Sequence, residues 1–245
     1  MVILHDGQFT SLLSAIYDAY YIYKHDCTIY QDTDYTPDLI EETVMVFTQS
    51  DKADKVAKSI IAKLGKEVFE HLLYAFYAEE KESSNSIYQF LKYAFLRGPD
   101  VIQYRSHPQV NPMLNHYQRV TREGHRMLGL IRFVEMETGL LVSQFESDTF
   151  LLPLLSSHFL NRMTNENWML HDLKRGLASV CNGTTWNIIQ LNSTDTLKLS
   201  NNELHYQELW QIYFVHISIK ERENTKLQSQ MMPKKYWKYL IEKPI

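Results

Sequence analysis

The sequence predicts an α+β fold in which mixed helices accompany an antiparallel sheet built from a hairpin and a meander. Three observations carry that expectation. Apolar residues recur at helical spacing through most of the first hundred positions, short β-branched runs bounded by turn residues gather between 130 and 190, and helical patterning returns after 200. A chain of 245 residues, 44% apolar with 8 Gly and 7 Pro, has ample material for a core and is neither disordered, collagenous nor of low complexity. It suits a single compact domain over 1–245 or two intimately packed subdomains, 1–108 mostly helical and 109–245 with the hairpin and further helices.

Val2-Ile3-Leu4-His5-Asp6 reads as a strand, Asp6-Gly7 as a turn, and Phe9, Leu12, Leu13, Ile16, Tyr17 and Tyr20 as one face of a helix. After the polar stretch 26–42, Val44 to Thr48 is a second strand. A helix capped by Ser50 follows it and stops at Gly65. Residues 66–78 and 86–97 give two more helices. Asn111-Pro112 opens another, with Pro at the first helical position where a missing N–H costs nothing. Its apolar stripe is Met113, Leu114, Tyr117, Val120, Met127 and Leu128. Arg119, Arg122 and Arg126 fall on the opposite side, and His125 on the boundary.

Leu130–Met136 and Leu140–Glu146 read as a hairpin turning at Gly139, with Arg132 inside the first strand, opposite Gln144 and diagonal to Glu146. Residues 150–163 form a helix with Pro153 in its first turn, on which His158 and Arg162 extend the row of Leu151 and Leu155. Residues 168–172, 177–181 and 184–190 then make an antiparallel meander. Tyr206, Leu209, Trp210, Tyr213, Phe214 and Ile217 give a strongly apolar helical stripe before a basic tail containing Lys234, Lys235, Tyr236, Trp237 and Lys238.

Two cysteines 154 positions apart, Cys27 and Cys181, supply neither a disulfide framework nor the ligand spacing of a zinc or iron–sulfur site. No His/acid pattern such as HExxH and no GxSxG elbow occurs, so no metal site and no cofactor is expected. No signal-like N-terminus and no run of 18 apolar residues is present, which leads us to expect a cytoplasmic protein without a membrane partner.

Charge is unevenly distributed. The net charge is −7 over residues 1–96, +4 over 97–132, −5 over 133–219 and +4 over 220–245. The first basic stretch contains six arginines and no lysine. A guanidinium grips a phosphate in two-point geometry where an ammonium offers a point charge. Arg119, Arg122, Arg126, Arg132 and Arg162 are therefore the candidate nucleic-acid contacts; the alternative for the row on the helix is a solvated face. For the tail, stacking on a single strand and inward packing of the aromatics are both open.

His5-Asp6-Gly7-Gln8-Phe9, Gly124-His125 leading to Ile131-Arg132-Phe133, Leu152-Pro153-Leu154-Leu155 with His158-Phe159 and Arg162, and Trp168 with His171-Asp172 occur in an order that resembles the bacterial "probable DNA metabolism protein" family. Leu209-Trp210, Tyr213-Phe214, Glu221-Arg222, Asn224, Pro233 and Tyr236-Trp237 continue the resemblance nearly to the end. That family has no assigned activity. Its members are fused to, or encoded beside, a uracil-DNA-glycosylase-like domain and a DNA repair or modification radical S-adenosylmethionine (SAM) protein. The resemblance implies a DNA repair or modification context with those two proteins as partners. Any glycosylase or radical chemistry would come from them, since this chain lacks both the fused domain and a CxxxCxxC motif.

Three functions follow as expectations. The first is an accessory protein that holds DNA or a partner repair enzyme through the arginine surface. The second is a hydrolase or base-processing enzyme using His125, His158 and Asp172 as acid–base groups, because imidazole titrates near neutrality and a carboxylate can orient it; with Arg132 and Arg162 these should converge on one pocket. The third is a scaffold, whose mark would be a large exposed apolar patch built from the aromatic C-terminal segment.

Overall fold

The two strand signals of the first fifty residues belong to one sheet. In the computed structural model, which describes all residues except 25–26, 38–39, 192–197, 220–221, 223 and 243–245, strand β1 (Val2–His5) is buried along its whole length. It lies at the centre of a three-stranded parallel sheet, between β2 (Thr28–Gln31) and β3 (Thr43–Val46). A parallel strand buried on both faces reads as an unbroken apolar run, which Val2-Ile3-Leu4 is. The sequence reading misses β2 because only Ile29 of its four residues is fully buried, and the flanking polar stretch hides it.

Helix α1 (Phe9–Tyr21) follows β1 and precedes β2, the crossover that a parallel pair requires. Helix α2 (Ser50–Leu64) ends at Gly65, whose φ of 94° only glycine adopts without strain, and α3 (Lys66–Phe76) and α4 (Ser83–Arg97) follow. Their apolar faces and Ile3, Leu12, Ile16 and Ile29 share one core with Met113 and Leu114. At the end of β1 the His5 ring is fully buried and hydrogen-bonds Ser84 Oγ at 2.8 Å. Burial pulls its pKa down to about 4, against a small upward pull from Asp6.

The chain divides into two units, Met1–Thr121 and Arg122–Ile245. The division falls inside α5 (Asn111–Leu130), whose start matches the Asn-Pro signal and whose Met113, Leu114, Val120 and Met127 are buried as expected. The helix runs on to Leu130 and leaves no room for the long first strand of the hairpin. Strand β4 is only Val134–Glu135, paired with β5 (Leu141–Phe145) in the anticipated register, and Arg132 precedes it in irregular backbone.

After β5 come α6 (Leu152–Arg162), β6 (Asn167–Asp172), β7 (Leu177–Asn182) and β8 (Trp186–Gln190). The five strands lie in sequence order. The meander β6-β7-β8 is antiparallel, but β5 and β6 are parallel, so α6 is a crossover that the hairpin-and-meander reading does not contain. Trp168, Phe145, Leu151, Leu152 and Leu155 are buried in this unit, and the Ser156 hydroxyl hydrogen-bonds Ser179 Oγ at 2.7 Å between α6 and β7. Helix α7 (Asn201–Ile217) is capped by Ser200, which accepts from the Glu203 N–H, and α8 (Thr225–Met231) by Asn224. A short 3-10 segment, Lys234–Tyr239, follows. Glu221 of the C-terminal sequence pattern lies outside the described residues. Among the described residues no helix is long and apolar enough to cross a membrane.

Candidate nucleic-acid interface

Helix α5 presents two chemically different sides. On its buried stripe, three residues after Val120 and four before Met127, stands Glu123, a charged side chain at an apolar position. Its carboxylate accepts hydrogen bonds from the Asp148 N–H (2.9 Å), the Thr149 N–H (2.9 Å), the Thr149 hydroxyl (2.7 Å) and the Tyr236 hydroxyl (2.8 Å). Burial by itself pushes this carboxyl up. The bonds from Thr149, Asp148 and Tyr236 outweigh it and hold the group below the usual carboxylate range. Gly124 sits on the same side because α6 comes close: a Cβ there would lie 2.9 Å from Leu154 Cδ2.

The other side carries the arginines. Arg119 is half exposed and ion-paired with Glu80. Arg122 and His125 are exposed and Arg126 is half-buried. From Arg119 to Arg126 the row spans about 10 Å of helix at 1.5 Å per residue. Arg162, at the end of α6, is exposed, and among the described residues no carboxylate pairs with it or with Arg126.

Arg132 behaves differently. Its partner is neither Gln144 nor Glu146, as a strand position would require, but Glu242, reached through Nη2 at 2.7 Å and Nε at 3.3 Å. The Glu242 side chain is 4% exposed. It also accepts from Trp210 Nε1 at 3.1 Å, and these bonds offset burial to hold its carboxyl below the ordinary range. Glu146 instead pairs with Lys238 at 3.0 Å, and Lys235 pairs with Asp148 at 2.5 Å. Tyr236 is buried, so the tail takes the inward-packing alternative.

The proposed acid–base groups are not joined. Among the described residues, no hydrogen bond or ion pair links His125, His158 and Asp172. His125 and His158 are exposed, and the nearest aromatic contact of His158 is the edge of Phe159. Asp172 is fully buried, accepting from Arg175 Nη1 at 2.6 Å and the Lys174 N–H at 3.1 Å; burial raises its carboxyl against the pull of Arg175. A groove of about 960 Å³ between β4–β5 and α7 contains Arg132 but none of the other four. Among the described residues no cluster of three His, Cys, Asp or Glu could hold a metal ion.

Glu123 and Glu242 are polar residues that sequence reasoning overlooks and that the hydrogen bonds of the second unit converge on. A signal existed for Glu123, which interrupts an apolar stripe. None existed for Glu242, whose partner is 110 positions away.

Neither a curated protein nor a solved structure matches the chain. The profile of the DUF4130 family, described as a domain of unknown function, matches residues 81–242, which include α4, α5 with its arginine row, the five-stranded sheet and α7. With two thirds of its length under that profile, the chain belongs to the DUF4130 family.

Proposed function

We propose that this protein is an accessory module of DNA repair or modification that retains nucleic acid electrostatically on the arginine side of α5, with Arg162 of α6 as a further contact. The observation that carries this reading is the outward row Arg119, Arg122, Arg126 on a helix whose neighbouring flank is tied down by the buried Glu123. The Arg119–Glu80 pair does not remove Arg119 from the row. Both side chains are more than a third exposed, and an exposed pair of this kind contributes little, so a phosphate can displace the carboxylate. Arg132 is left out, because its guanidinium satisfies the buried Glu242. The DNA context, and a glycosylase-like protein and a radical SAM protein as partners, come from the resemblance in sequence. Contacts of this kind position a protein on the phosphate backbone without reading bases, so the module would be sequence-tolerant.

The test is fluorescence anisotropy with labelled single- and double-stranded DNA across a salt series. Charge reversal of Arg119, Arg122 and Arg126 to Glu is expected to weaken binding at low salt and to flatten the log–log salt dependence by roughly 2 to 3, near one unit per lost phosphate contact. Unchanged affinity and slope would remove the proposal.

A further inference from the structure

A cleft of about 400 Å³ opens between α1 and α2 of the first unit, and its two walls differ in chemistry. Helical spacing builds both. On α1, Tyr17, Tyr20 and Tyr21 stand three and four residues apart and share a flank, while on α2 Lys55, Ser59 and Lys63 follow one another every four residues. The Tyr17 and Tyr21 rings lie 4.5 Å apart, and Tyr20 meets the ring of Phe95 from α4 edge-on at 5.9 Å. The cationic row reaches over this aromatic wall, with Lys55 Nζ 5.7 Å from the Tyr17 centroid and Lys63 Nζ 5.8 Å from that of Phe95. Among the described residues no Asp or Glu lines the cleft, and no carboxylate pairs with Lys63. Lys55 meets Asp51 at 3.7 Å, but both side chains are more than 60% exposed, so the pair is too weak to keep the ammonium from another anion.

We infer that this cleft is a nucleotide site, taking a nucleoside monophosphate, free or as the phosphorylated end of a strand, with its base on the tyrosines and its phosphate at the lysines. The inference goes beyond the proposed function and rests on different residues. Two features narrow the ligand. An aromatic wall favours a flat π surface, and two ammonium groups with no carboxylate in the lining favour an anion. A neutral ring meets only the first demand and inorganic phosphate only the second, whereas a nucleotide joins them in one molecule. Ser59, between the two lysines, adds a hydroxyl that can donate to a phosphate oxygen. The volume is that of an ordinary small-ligand pocket, and the lysine row spans about 12 Å of helix at 1.5 Å per residue. Lys52, one turn earlier, takes no part, because the buried Asp18 holds its ammonium at 2.6 Å. Apart from Phe95 the lining residues lie outside the stretch that matches the DUF4130 profile.

Isothermal titration calorimetry of the full chain at low salt tests this, with AMP, adenosine, phenyl phosphate and inorganic phosphate as probes. AMP is expected to bind, and each of the other three to bind roughly tenfold or more weakly. Lys55→Gln/Lys63→Gln should lose AMP by a similar factor with the circular dichroism of the native protein retained, since both side chains are exposed. Should that variant fail to fold, Tyr21→Ser replaces it: the ring is 71% exposed, and its loss should weaken AMP but not inorganic phosphate. Oligothymidylate with and without a 5′ phosphate separates the two sources, a gain from the phosphate assigning the site to strand ends and no gain assigning it to free nucleotide. A native chain that does not bind AMP, equal affinity for adenosine or phenyl phosphate, or a folded variant that binds AMP as the native chain does would each overturn the inference. The charge-reversal variant of Arg119, Arg122 and Arg126 should keep native AMP affinity, so the failure of this site and the failure of the α5 reading are seen separately.

Discussion

Helices α5 and α7 are both rich in apolar residues, gathered on one flank in α5 and spread round the helix in α7, and they end in opposite situations. On α5 the stripe Met113, Leu114, Val120 and Met127 is buried and the arginines face outward. On α7 most apolar side chains are exposed, and the hydrogen bonds that reach the rest of its unit come from Glu203, Trp210 and Gln211. Each is tied to distant chain by a carboxylate held below the ordinary range: Glu123 of α5 receives Tyr236, and Glu242 receives Trp210 of α7 together with Arg132. The difference teaches that a hydrophobic period identifies residues sharing a face but not whether that face finds a cover within the same chain.

The sharpest way to break this comparison is Glu123→Ala. It orphans four donors, three of them meeting the carboxylate from the 148–149 turn, and should lower the stability of the second unit by about 4 kcal/mol in denaturant titration. A loss below ~1 kcal/mol would mean that the bonds add nothing to packing. Because the folded carboxyl titrates below its unfolded value, this contribution is complete above about pH 4.5 and fades as the pH falls through the folded pKa; in the variant that acid limb should flatten.

His5 titrates in the opposite sense and allows the first unit to be followed separately. Its ring is neutral when folded, with a pKa of about 4 against 6.5 unfolded, so the unfolded chain binds the extra proton and stability falls as the pH drops from 6.5 towards 4, by about 3 kcal/mol in all. Urea midpoints measured for the native chain and for His5→Gln across that range should converge at low pH. Parallel curves would show that the ring is not held neutral.

The paired truncations Met127→Ala and Leu204→Ala compare the two helices directly. The first empties a buried site and should cost about 3 kcal/mol, whereas the second, at a side chain 59% exposed, should change monomer stability by less than ~0.5 kcal/mol. Equal costs would show that α7 is covered within its own chain. Arg132→Ala completes the series at about 2 kcal/mol, a discounted value because the arginine side chain is itself 23% exposed, through the unpaired charge left on Glu242. DNA affinity should not follow this loss; if it did, Arg132 would belong to the nucleic-acid surface after all.

Much of the fold could be read from local pattern. The presence of α1 and α2, the end of α2 at Gly65, the start of α5, the meander β6-β7-β8 and the register of β4 on β5 follow from periodicity and turn residues, whereas Ser50 lies inside α2 and does not cap it. The four-residue β2, the parallel β5–β6 pair and the engagement of Arg132 by Glu242 could not, because each depends on residues far apart in sequence. The site divides in the same way. The outward arginines of α5 were legible from a helical wheel, while His125, His158 and Asp172, grouped on their chemistry alone, share no hydrogen bond or ion pair among the described residues.

By itself, then, the amino-acid order determined which residues lie on which side of each helix and strand, because those periods are properties of the local backbone. Only the tertiary structure decided which sides are covered: Glu123 is fully satisfied inside the second unit, Arg132 is consumed by a carboxylate 110 residues away, and most apolar side chains of α7 are left in water. The physical reason is that burial and charge pairing are set by what arrives from elsewhere in the chain, which no local pattern encodes.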